Sequence, residues 1–366
     1  MGFNCGIVGL PNVGKSTLFN SLTKTAAADA ANYPFCTIEP NTGRVAVPDP
    51  RLNQIAKLAK SAEVIPTFLE FVDIAGLVRG AASGEGLGNQ FLANIREVDA
   101  VIHVLRCFDD SDITHVENSV DPIRDAATVE TELMLADMDS LERRMAALTK
   151  KTRGGDKQAA ADLALMEKLF ASLSEGLPAR TVERLTDAEA LRLPQFQLLT
   201  AKPVLYACNV AEHDIATGNT MSAEVAEKAE EEGAAYVVVS AAIEAEIATL
   251  SDEEAAEFIS DMGLKEPGLN RLIRAGYDLL NLLTFFTAGP KEARAWTVRN
   301  PATAPMAAGV IHTDFQRGFI RAETVSYDDY IAFHGEAGAK DAGKLRIEGA
   351  DYQVKDGDIF HFRFNV

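Results

Sequence analysis

The chain has 366 residues with 35 basic and 54 acidic side chains, which gives a net charge of -19. Its hydrophobic fraction of 47% supplies enough apolar surface for folded cores and excludes a mainly disordered chain. No run of about 18 apolar residues appears, so a membrane-spanning helix is not expected. The acidic charge excludes a general nucleic-acid coat protein, so any contact with RNA requires a local basic patch.

The cysteines point to a reducing compartment. Cys5, Cys36, Cys107 and Cys208 are far apart in the chain and form no C-x-x-C pair, a pattern typical of free thiols rather than of a disulfide or zinc framework. The N-terminus has no basic segment followed by an apolar one, so no signal peptide is expected. We therefore expect a cytoplasmic protein. We also expect it to be a monomer with neither a membrane nor a DNA partner.

Short apolar runs alternate with helical patterns through most of the chain, which favours a mainly parallel sheet covered on both faces. A helix is expected to begin near Lys15, directly after the first of these runs. The predicted buried strands are Phe3–Gly9, Phe68–Val72, Ala100–Leu105, Pro203–Cys208 and Ala235–Ser240.

Between the third and fourth of these strands the apolar spacing becomes that of a helical seam. The two stretches of the seam flank Gly154-Gly155 and predict an antiparallel helical hairpin. We expect it to project from the body, although two helices packed on the body would show the same spacing. The apolar seam residues are Met134, Met138, Leu141, Met145, Leu148, Leu163, Met166, Phe170 and Leu173.

From about Leu282 the texture changes to short segments rich in aromatic and β-branched residues, which predicts a separate α+β domain of about 85 residues. The predicted strands there are Ala295–Val298, Ala308–Ile311, Phe319–Glu323 and Ile359–Asn365.

The strongest chemical signal is the segment G-L-P-N-V-G-K-S-T, residues 9–17. It fits the phosphate-binding P-loop and lies between a strand and a helix, as that motif requires. Gly14 lets backbone N–H groups approach phosphate oxygens, Lys15 reaches the β and γ phosphates, and Ser16 ligates Mg²⁺. The predicted phosphate-binding residues are Asn12, Val13, Gly14, Lys15, Ser16 and Thr17.

Two further motifs follow in the order expected of a nucleotide switch. Asp73-Ile-Ala-Gly76 ends a predicted strand, so Asp73 is expected to hold Mg²⁺ through water and Gly76 to sense the γ phosphate. Thr37, between the P-loop and this motif, is expected to complete the metal shell.

The segments G-L-P-N-V-G-K-S-T, Y-P-F-C-T-I-E-P-N, D-I-A-G-L-V-R-G-A-A-S-G-E-G-L-G-N-Q-F and N-V-A-E resemble those of the Obg-like NTPases, and within them the YchF-type ribosome-associated ATPases. The C-terminal region is similar to a TGS domain. The resemblance implies an Obg-type G domain in two segments, 1–125 and 200–281. A helical coiled-coil arm, 126–199, is expected between them, and a ubiquitin-like β-grasp TGS domain at 282–366.

One departure from ordinary GTPases concerns the attacking water. Leu77 follows D-I-A-G where many switch GTPases have a glutamine, and leucine can neither donate nor accept a hydrogen bond. His115, in the polar loop after the strand Ala100–Leu105, is the predicted substitute. The resemblance also favours this histidine as catalytic; a plain surface histidine is the alternative. Lys15 of the P-loop is the other predicted catalytic residue. His103, inside the strand, is expected to be a core residue.

The second departure concerns the base. GTPases recognise guanine with N-K-x-D, whose aspartate accepts from two donors of the base, whereas this chain has Asn209-Val210-Ala-Glu212. Glu212 is one methylene longer and Val210 is apolar, which favours adenine. The following loop, Ser240, Ala241 and Ala242, is also expected to contact the base.

The sequence thus predicts a Mg²⁺-dependent ATPase that acts as a nucleotide switch. The resemblance makes the ribosome its partner, mainly the large subunit and its RNA. The basic hairpin tip supports this partner through Lys150, Lys151, Arg153 and Lys157. An Obg-class GTPase and a non-catalytic, nucleotide-dependent adaptor remain as alternatives.

Overall fold

The computed structural model describes residues 3–32, 41–74, 87–117, 119–183 and 185–365. Their strands are β1 (Asn4–Val8), β2 (Thr42–Ala46), β3 (Glu63–Ile65), β4 (Phe68–Asp73), β5 (Ala100–Arg106), β6 (Val204–Asn209), β7 (Ala235–Val239), β8 (Leu282–Ala288), β9 (Glu292–Arg299), β10 (Phe319–Ser326), β11 (Arg346–Glu348) and β12 (Asp358–Phe364). No helix among these residues is long and apolar enough to cross a membrane.

The α-helices are α1 (Lys15–Asn32), α2 (Pro50–Ala59), α3 (Leu87–Glu97), α4 (Pro122–Thr152), α5 (Lys157–Ser174), α6 (Asp187–Arg192), α7 (Thr220–Glu232), α8 (Ala241–Ile247), α9 (Asp252–Asp261), α10 (Gly268–Leu279), α11 (Ala304–Ile311), α12 (Thr313–Arg317), α13 (Tyr327–Ala332) and α14 (Glu336–Asp341). Single 3-10 turns lie at Ala179–Thr181, Leu193–Phe196 and Glu212–Asp214.

The first sheet has the strand order β2-β4-β1-β5-β6-β7. The neighbours from β4 to β7 pair in parallel, and every residue of β5 is buried. A parallel strand between two layers has no solvent face, which is why the continuous apolar runs of the sequence predict such strands. The five predicted strands are confirmed, and the carboxyl ends of β1, β4, β5 and β6 meet at one edge of the sheet.

The second sheet has the order β11-β10-β12-β8-β9-β3. β8 and β12 pair in parallel, while β8–β9, β10–β12 and β10–β11 are antiparallel. The first and last long strands of this sheet lie side by side in its middle, an arrangement typical of the β-grasp domain that the resemblance implies. The aromatic side chains of Phe285, Phe360 and Phe362 contact one another in its core.

The second sheet also recruits residues that the sequence placed in the G domain. Arg44–Leu69 clusters with Leu280–Val366 into one compact unit, and Glu70–Leu279 belongs to the other. β3 pairs in parallel with β9, and α2 packs its buried Leu52 and Ile55 into the same core as Phe286. The predicted boundary is therefore wrong for residues 44–69, because a three-residue edge strand acquires its partner only through a long-range pairing.

The predicted strand Ala308–Ile311 is also wrong, since these residues end α11. Pro305 lies in the first turn of this helix, where its missing N–H has no helical partner to lose. Ala304, Ala307 and Ala308 are fully buried in the core with Phe285. Small side chains let the helix approach the sheet closely, and that packing outweighs the β-branched residues at its end.

The helical hairpin is present as α4 and α5, joined by a short turn with Gly155 at φ +84°. Asp156 caps α5 by accepting from the N–H groups of Gln158 and Ala159. The seam is partly shifted from the prediction, because Leu165 and Leu169 are buried while Leu163 is only half-buried. Lys150, Lys151, Arg153 and Lys157 are all exposed at the tip.

Charged side chains connect the other end of the hairpin to the helix α7. Arg180, just after the hairpin, forms ion pairs with Glu130 of α4 and Glu232 of α7. Tyr206 of β6 donates to the same Glu232 at 2.9 Å. The hairpin is thereby fastened at its base to the strand that leads to Asn209.

Candidate nucleotide-binding site

The glycine loop between β1 and α1 has the local geometry that the motif predicts. Gly14 has φ +93°, a conformation that side chains with a Cβ rarely adopt. A Cβ at this position would also lie 2.2 Å from Nδ2 of Asn209. Glycine is therefore required both by the backbone and by the close approach of β6. The first turn of α1 then presents free N–H groups and the positive end of its dipole, which suits an anion.

Lys15 and Asp73 meet at the start of α1. Lys15 is largely buried, with 9 % exposure, and its ammonium forms an ion pair with Asp73 at the end of β4. The carboxylate therefore lies where the ammonium would otherwise meet a phosphate. A carboxylate and the exposed hydroxyl of Ser16 are hard oxygen donors of the kind that Mg²⁺ prefers, so these residues fit the predicted metal.

Three residues of the sequence argument lie outside the described residues. These are the switch threonine Thr37, the γ-phosphate sensor Gly76 and the leucine that replaces glutamine, Leu77. Their roles stay predictions.

Asn209 ties two walls of the site together. Its Nδ2 donates to the carbonyl of Val13 at 2.9 Å, and its Oδ1 accepts from the N–H of Ala241 at 2.9 Å. The sequence predicts that Asn209 contacts the purine; in the structure its amide holds the P-loop against the start of α8. The sequence offered no signal for this second task.

A cavity of about 500 Å³ opens beside the P-loop, a volume within the usual range for small-molecule sites. Nine predicted nucleotide-binding residues line it, which brings three distant segments of the sequence to one place: Asn12, Gly14, Thr17, Asn209, Val210, Glu212, Ser240, Ala241 and Ala242. Val13 contributes through its carbonyl, as described above, and its side chain is buried.

Six other residues line the cavity although the sequence did not predict them as nucleotide-binding: Phe108, Asp109, Asp110, Ile113, Ala211 and His213. Phe108 to Ile113 follow β5, whose carboxyl end lies between those of β1 and β6. Ligands of open parallel sheets bind at such strand ends, so strand order was the missing signal. Phe108 gives this wall an aromatic face.

The two residues that distinguish this site from N-K-x-D differ in exposure. Val210 is only 2 % exposed and packs in the core behind the cavity with Leu105 and Cys208. Glu212 is exposed and begins the 3-10 turn Glu212–Asp214. The carboxylate is thus the part of this motif that a base can meet most readily.

The surroundings of His115 differ from the exposed polar loop that the sequence suggested. The ring is 5 % exposed; its Nδ1 accepts from the N–H of Glu117 at 3.1 Å, so Nε2 carries the proton and donates to Asp125 at 2.8 Å. Asp125 is also paired with Arg124 at 2.9 Å. His115 does not line the cavity. A catalytic role, which stays a prediction, requires the ring to move into the cavity.

His103 is the buried core residue that the sequence predicts. Burial, reinforced by the nearby charges of Arg180 and Lys228, lowers its pKa to about 3. The imidazole is therefore neutral at physiological pH and contributes packing against Tyr206, whose ring centroid lies 5.9 Å away.

The parallel sheet, the glycine loop that opens α1, and the Lys15–Asp73 pair at the strand ends define a P-loop NTPase of the G-domain type. The family model MMR_HSR1, described as "50S ribosome-binding GTPase", matches residues 4–137. The model YchF-GTPase_C, described as "Protein of unknown function (DUF933)", matches residues 282–365.

Full-length relatives narrow the class to one family. The chain is 59% identical over 366 residues to the Ribosome-binding ATPase YchF of Haemophilus influenzae and 52% identical over 368 residues to that of Bacillus subtilis, with complete coverage of both partners in each case. A solved structure, described as the Schizosaccharomyces pombe YchF GTPase, matches with a TM-score of 0.89 and 38% identity, covering 99% of this chain and 98% of that one. The chain belongs to the YchF family, which confirms the resemblance.

Proposed function

We propose that the protein is a Mg²⁺-dependent ATPase that hydrolyses ATP to ADP and phosphate and acts as a nucleotide switch on the ribosome. The observation that carries this proposal is the joining of the P-loop, Asp73 and the Asn209–Glu212 segment around one cavity. The bacterial relatives named above, identical to this chain at more than half of their positions, are called ribosome-binding ATPases.

The roles of the residues follow from their places. Lys15 exchanges Asp73 for the β and γ phosphates, and the N–H groups at the start of α1 complete the anion site. Asp73, once released, and Ser16 are the residues that would hold Mg²⁺, with Thr37 as a further candidate. When bound, the ion neutralises charge that develops on the phosphate oxygens. Phosphoryl transfer to water then needs placement and charge stabilisation rather than covalent catalysis.

A GTPase is the second candidate, because the fission yeast relative is described as a GTPase. The chemistry of Glu212 favours adenine. An aspartate in N-K-x-D accepts from N1–H and N2–H₂ of guanine, whereas adenine has an acceptor at N1 and no N2 amine. Glu212 is exposed, and we do not expect its longer side chain to reproduce that paired contact.

We expect ATP to bind at least about tenfold more tightly than GTP, since each hydrogen bond to a charged group is worth about 1.5–3 kcal/mol. Glu212→Asp should raise the affinity for GTP relative to ATP by drawing the carboxylate back towards the geometry of N-K-x-D. Direct competition between labelled ATP and GTP measures both. His213→Ala is the control: it changes the neighbouring exposed residue of the same cavity and should leave the ratio of the ATP and GTP affinities unaltered. A wild-type preference for GTP would establish the GTPase.

Val210→Lys with Glu212→Asp would restore both positions of the GTPase motif. Because Val210 is buried in the core, this double variant needs a thermal melt beside the binding assay. The single Glu212 variant is the cleaner test.

The exposed hairpin tip is the surface we propose for ribosomal RNA, mainly of the large subunit. Asp156 is the single acidic side chain between Lys150 and Lys157, and its carboxylate accepts from backbone N–H groups of α5. The basic charge of the tip is therefore available to phosphates in an otherwise acidic protein. A ribosome-bound switch of this kind works in the cytoplasm, and we propose that it acts there as a monomer.

Reversing the charges of the tip should weaken binding to ribosomes by about tenfold or more and should lower the salt dependence, since the slope falls by about 1 for each phosphate contact removed. Affinity for ATP should stay unchanged. The substitutions are to glutamate at Lys150, Lys151, Arg153 and Lys157. Cosedimentation with ribosomes at several salt concentrations gives the affinity and the slope.

The matched control makes the same charge change at four exposed lysines elsewhere: Lys57, Lys265, Lys291 and Lys340. It should retain binding. If the tip variant binds ribosomes with an unchanged salt slope, the contact lies elsewhere, and the C-terminal domain, which we propose to be a TGS domain, becomes the next surface to test.

A further inference from the structure

Arg106 is a buried arginine behind one wall of the nucleotide cavity. It is the last residue of β5 and is 1 % exposed, and within the described part of the chain no carboxylate forms an ion pair with it. An unpaired buried charge is costly, and an apolar side chain would fill the same core position at lower cost. The guanidinium must therefore do something there that packing alone does not require.

The hydrogen bonds that the structure shows for the guanidinium of Arg106 all go to backbone carbonyls of one loop. Nε donates to the carbonyl of Phe108 at 3.1 Å, Nη1 to that of Ile113 at 3.0 Å and Nη2 to that of Asp110 at 3.0 Å. The guanidinium carbon also lies 4.8 Å from the centroid of the Phe108 ring. A single side chain thus fixes both ends and the middle of the segment from Phe108 to Ile113.

This segment forms one wall of the nucleotide cavity. Phe108, Asp109, Asp110 and Ile113 line the cavity together with Glu212 and the Ser240–Ala242 loop, whereas Lys15 and Ser16 do not. Asn12, Gly14 and Thr17 of the P-loop line the cavity too. Glu212 and the Ser240–Ala242 loop are the residues predicted to contact the base, so the segment held by Arg106 shares its cavity with the base-contacting part of the site. Its next residue, Thr114, accepts from Nδ2 of Asn12 in the P-loop at 3.0 Å, which sets the position of the wall against that loop.

We propose that Arg106 is a positioning residue for the nucleoside half of the bound nucleotide. This role of Arg106 rests on the proposed function, in which the cavity is the nucleotide site. The guanidinium turns three carbonyls inward and holds the aromatic face of Phe108 at the cavity. Without it, these carbonyls lose their partners, and the wall no longer keeps one shape for the base. The P-loop keeps its own contacts and still binds phosphates.

The test compares Arg106→Met with the wild type against two kinds of ligand. Calorimetry with ATP and ADP measures binding of the whole nucleotide, and inorganic tripolyphosphate, which has no base, is titrated as an inhibitor of ATP hydrolysis. We expect the affinity for both nucleotides to fall by about tenfold or more, because three hydrogen bonds from a charged group are lost. The inhibition constant of tripolyphosphate should stay unchanged.

Arg144→Met is the matched control, because Arg144 also donates to a backbone carbonyl, that of Phe196 in the helical arm, at 2.7 Å. Arg144→Met should change neither the affinity for nucleotides nor the inhibition constant of tripolyphosphate. Arg106→Lys retains the charge and part of the bonding, so it should bind nucleotides with intermediate affinity. It carries the same test if Arg106→Met does not fold, as judged by circular dichroism and thermal melting.

Each outcome is decisive. Equal weakening of nucleotides and tripolyphosphate would overturn the proposal, because Arg106 would then support the site as a whole. Unchanged nucleotide affinity in folded Arg106→Met or Arg106→Lys would overturn it as well. A wild-type protein that binds no nucleotide would instead refute the proposed function.

Discussion

Lys15→Ala should lower the affinity for ATP and ADP by about a hundredfold or more, which in practice abolishes binding at micromolar concentration. The ammonium faces two phosphate groups, and each charge-assisted hydrogen bond contributes about 1.5–3 kcal/mol. The effect is large because Lys15 is largely buried and is already in place, paired with Asp73. Titration of the purified variant with a fluorescent nucleotide measures the loss.

Two variants separate this effect from a general loss of charge. Lys24→Ala removes an exposed lysine from the same helix α1 and should bind nucleotide normally. Asp73→Asn frees Lys15 from its partner while weakening the proposed metal site, so it should bind nucleotide but hydrolyse it slowly. Normal nucleotide affinity in folded Lys15→Ala would remove the P-loop from the mechanism.

His115→Ala should slow hydrolysis of bound ATP by about 10²–10⁴-fold, the range that acid–base and orienting groups contribute, while nucleotide affinity changes little. The reason is Leu77, which cannot position the attacking water. Single-turnover hydrolysis, measured with and without ribosomes, isolates the chemical step from nucleotide binding.

Because His115 is buried against Asp125, a second variant is needed to separate a catalytic role of the ring from a structural one. Asp125→Asn weakens the partner that holds the ring but keeps the size of the side chain. If His115 acts on the water through Nδ1, Asp125→Asn should also slow hydrolysis, since the carboxylate that accepts from Nε2 fixes the tautomer and orientation of the ring. If His115 serves only to fasten the loop, both variants should lower the melting temperature and neither should slow the chemical step. No turnover in the wild type, even with ribosomes, would identify a non-catalytic adaptor.

The position of His115 also shows where reasoning from a motif stops. The sequence predicts a catalytic histidine in the polar loop after β5, yet in the structure the ring is enclosed by Asp125 of α4 and the N–H of Glu117. Sequence spacing places residues on the same loop. It does not show which of them turns inwards, because that choice depends on the helix packed against the loop.

The sequence by itself determined the features that depend on local chemistry. The glycine loop before α1, the apolar runs of β1 and β5 and the hairpin around Gly155 each follow from the conformations or burial that neighbouring residues allow. The predicted phosphate-binding residues adjoin one another for the same reason, since a loop and the helix after it form one continuous stretch of backbone that suits an anion.

Only the tertiary structure decided how distant segments meet. Asn209 bonds to Val13 across 196 positions of the chain, β3 joins the C-terminal sheet through β9, and Arg106 holds the wall from Phe108 to Ile113. These contacts satisfy buried polar groups and strand edges, which must find partners wherever the fold brings them. No local pattern records such a partner, because it is chosen by the order of the strands and the packing of the helices upon them.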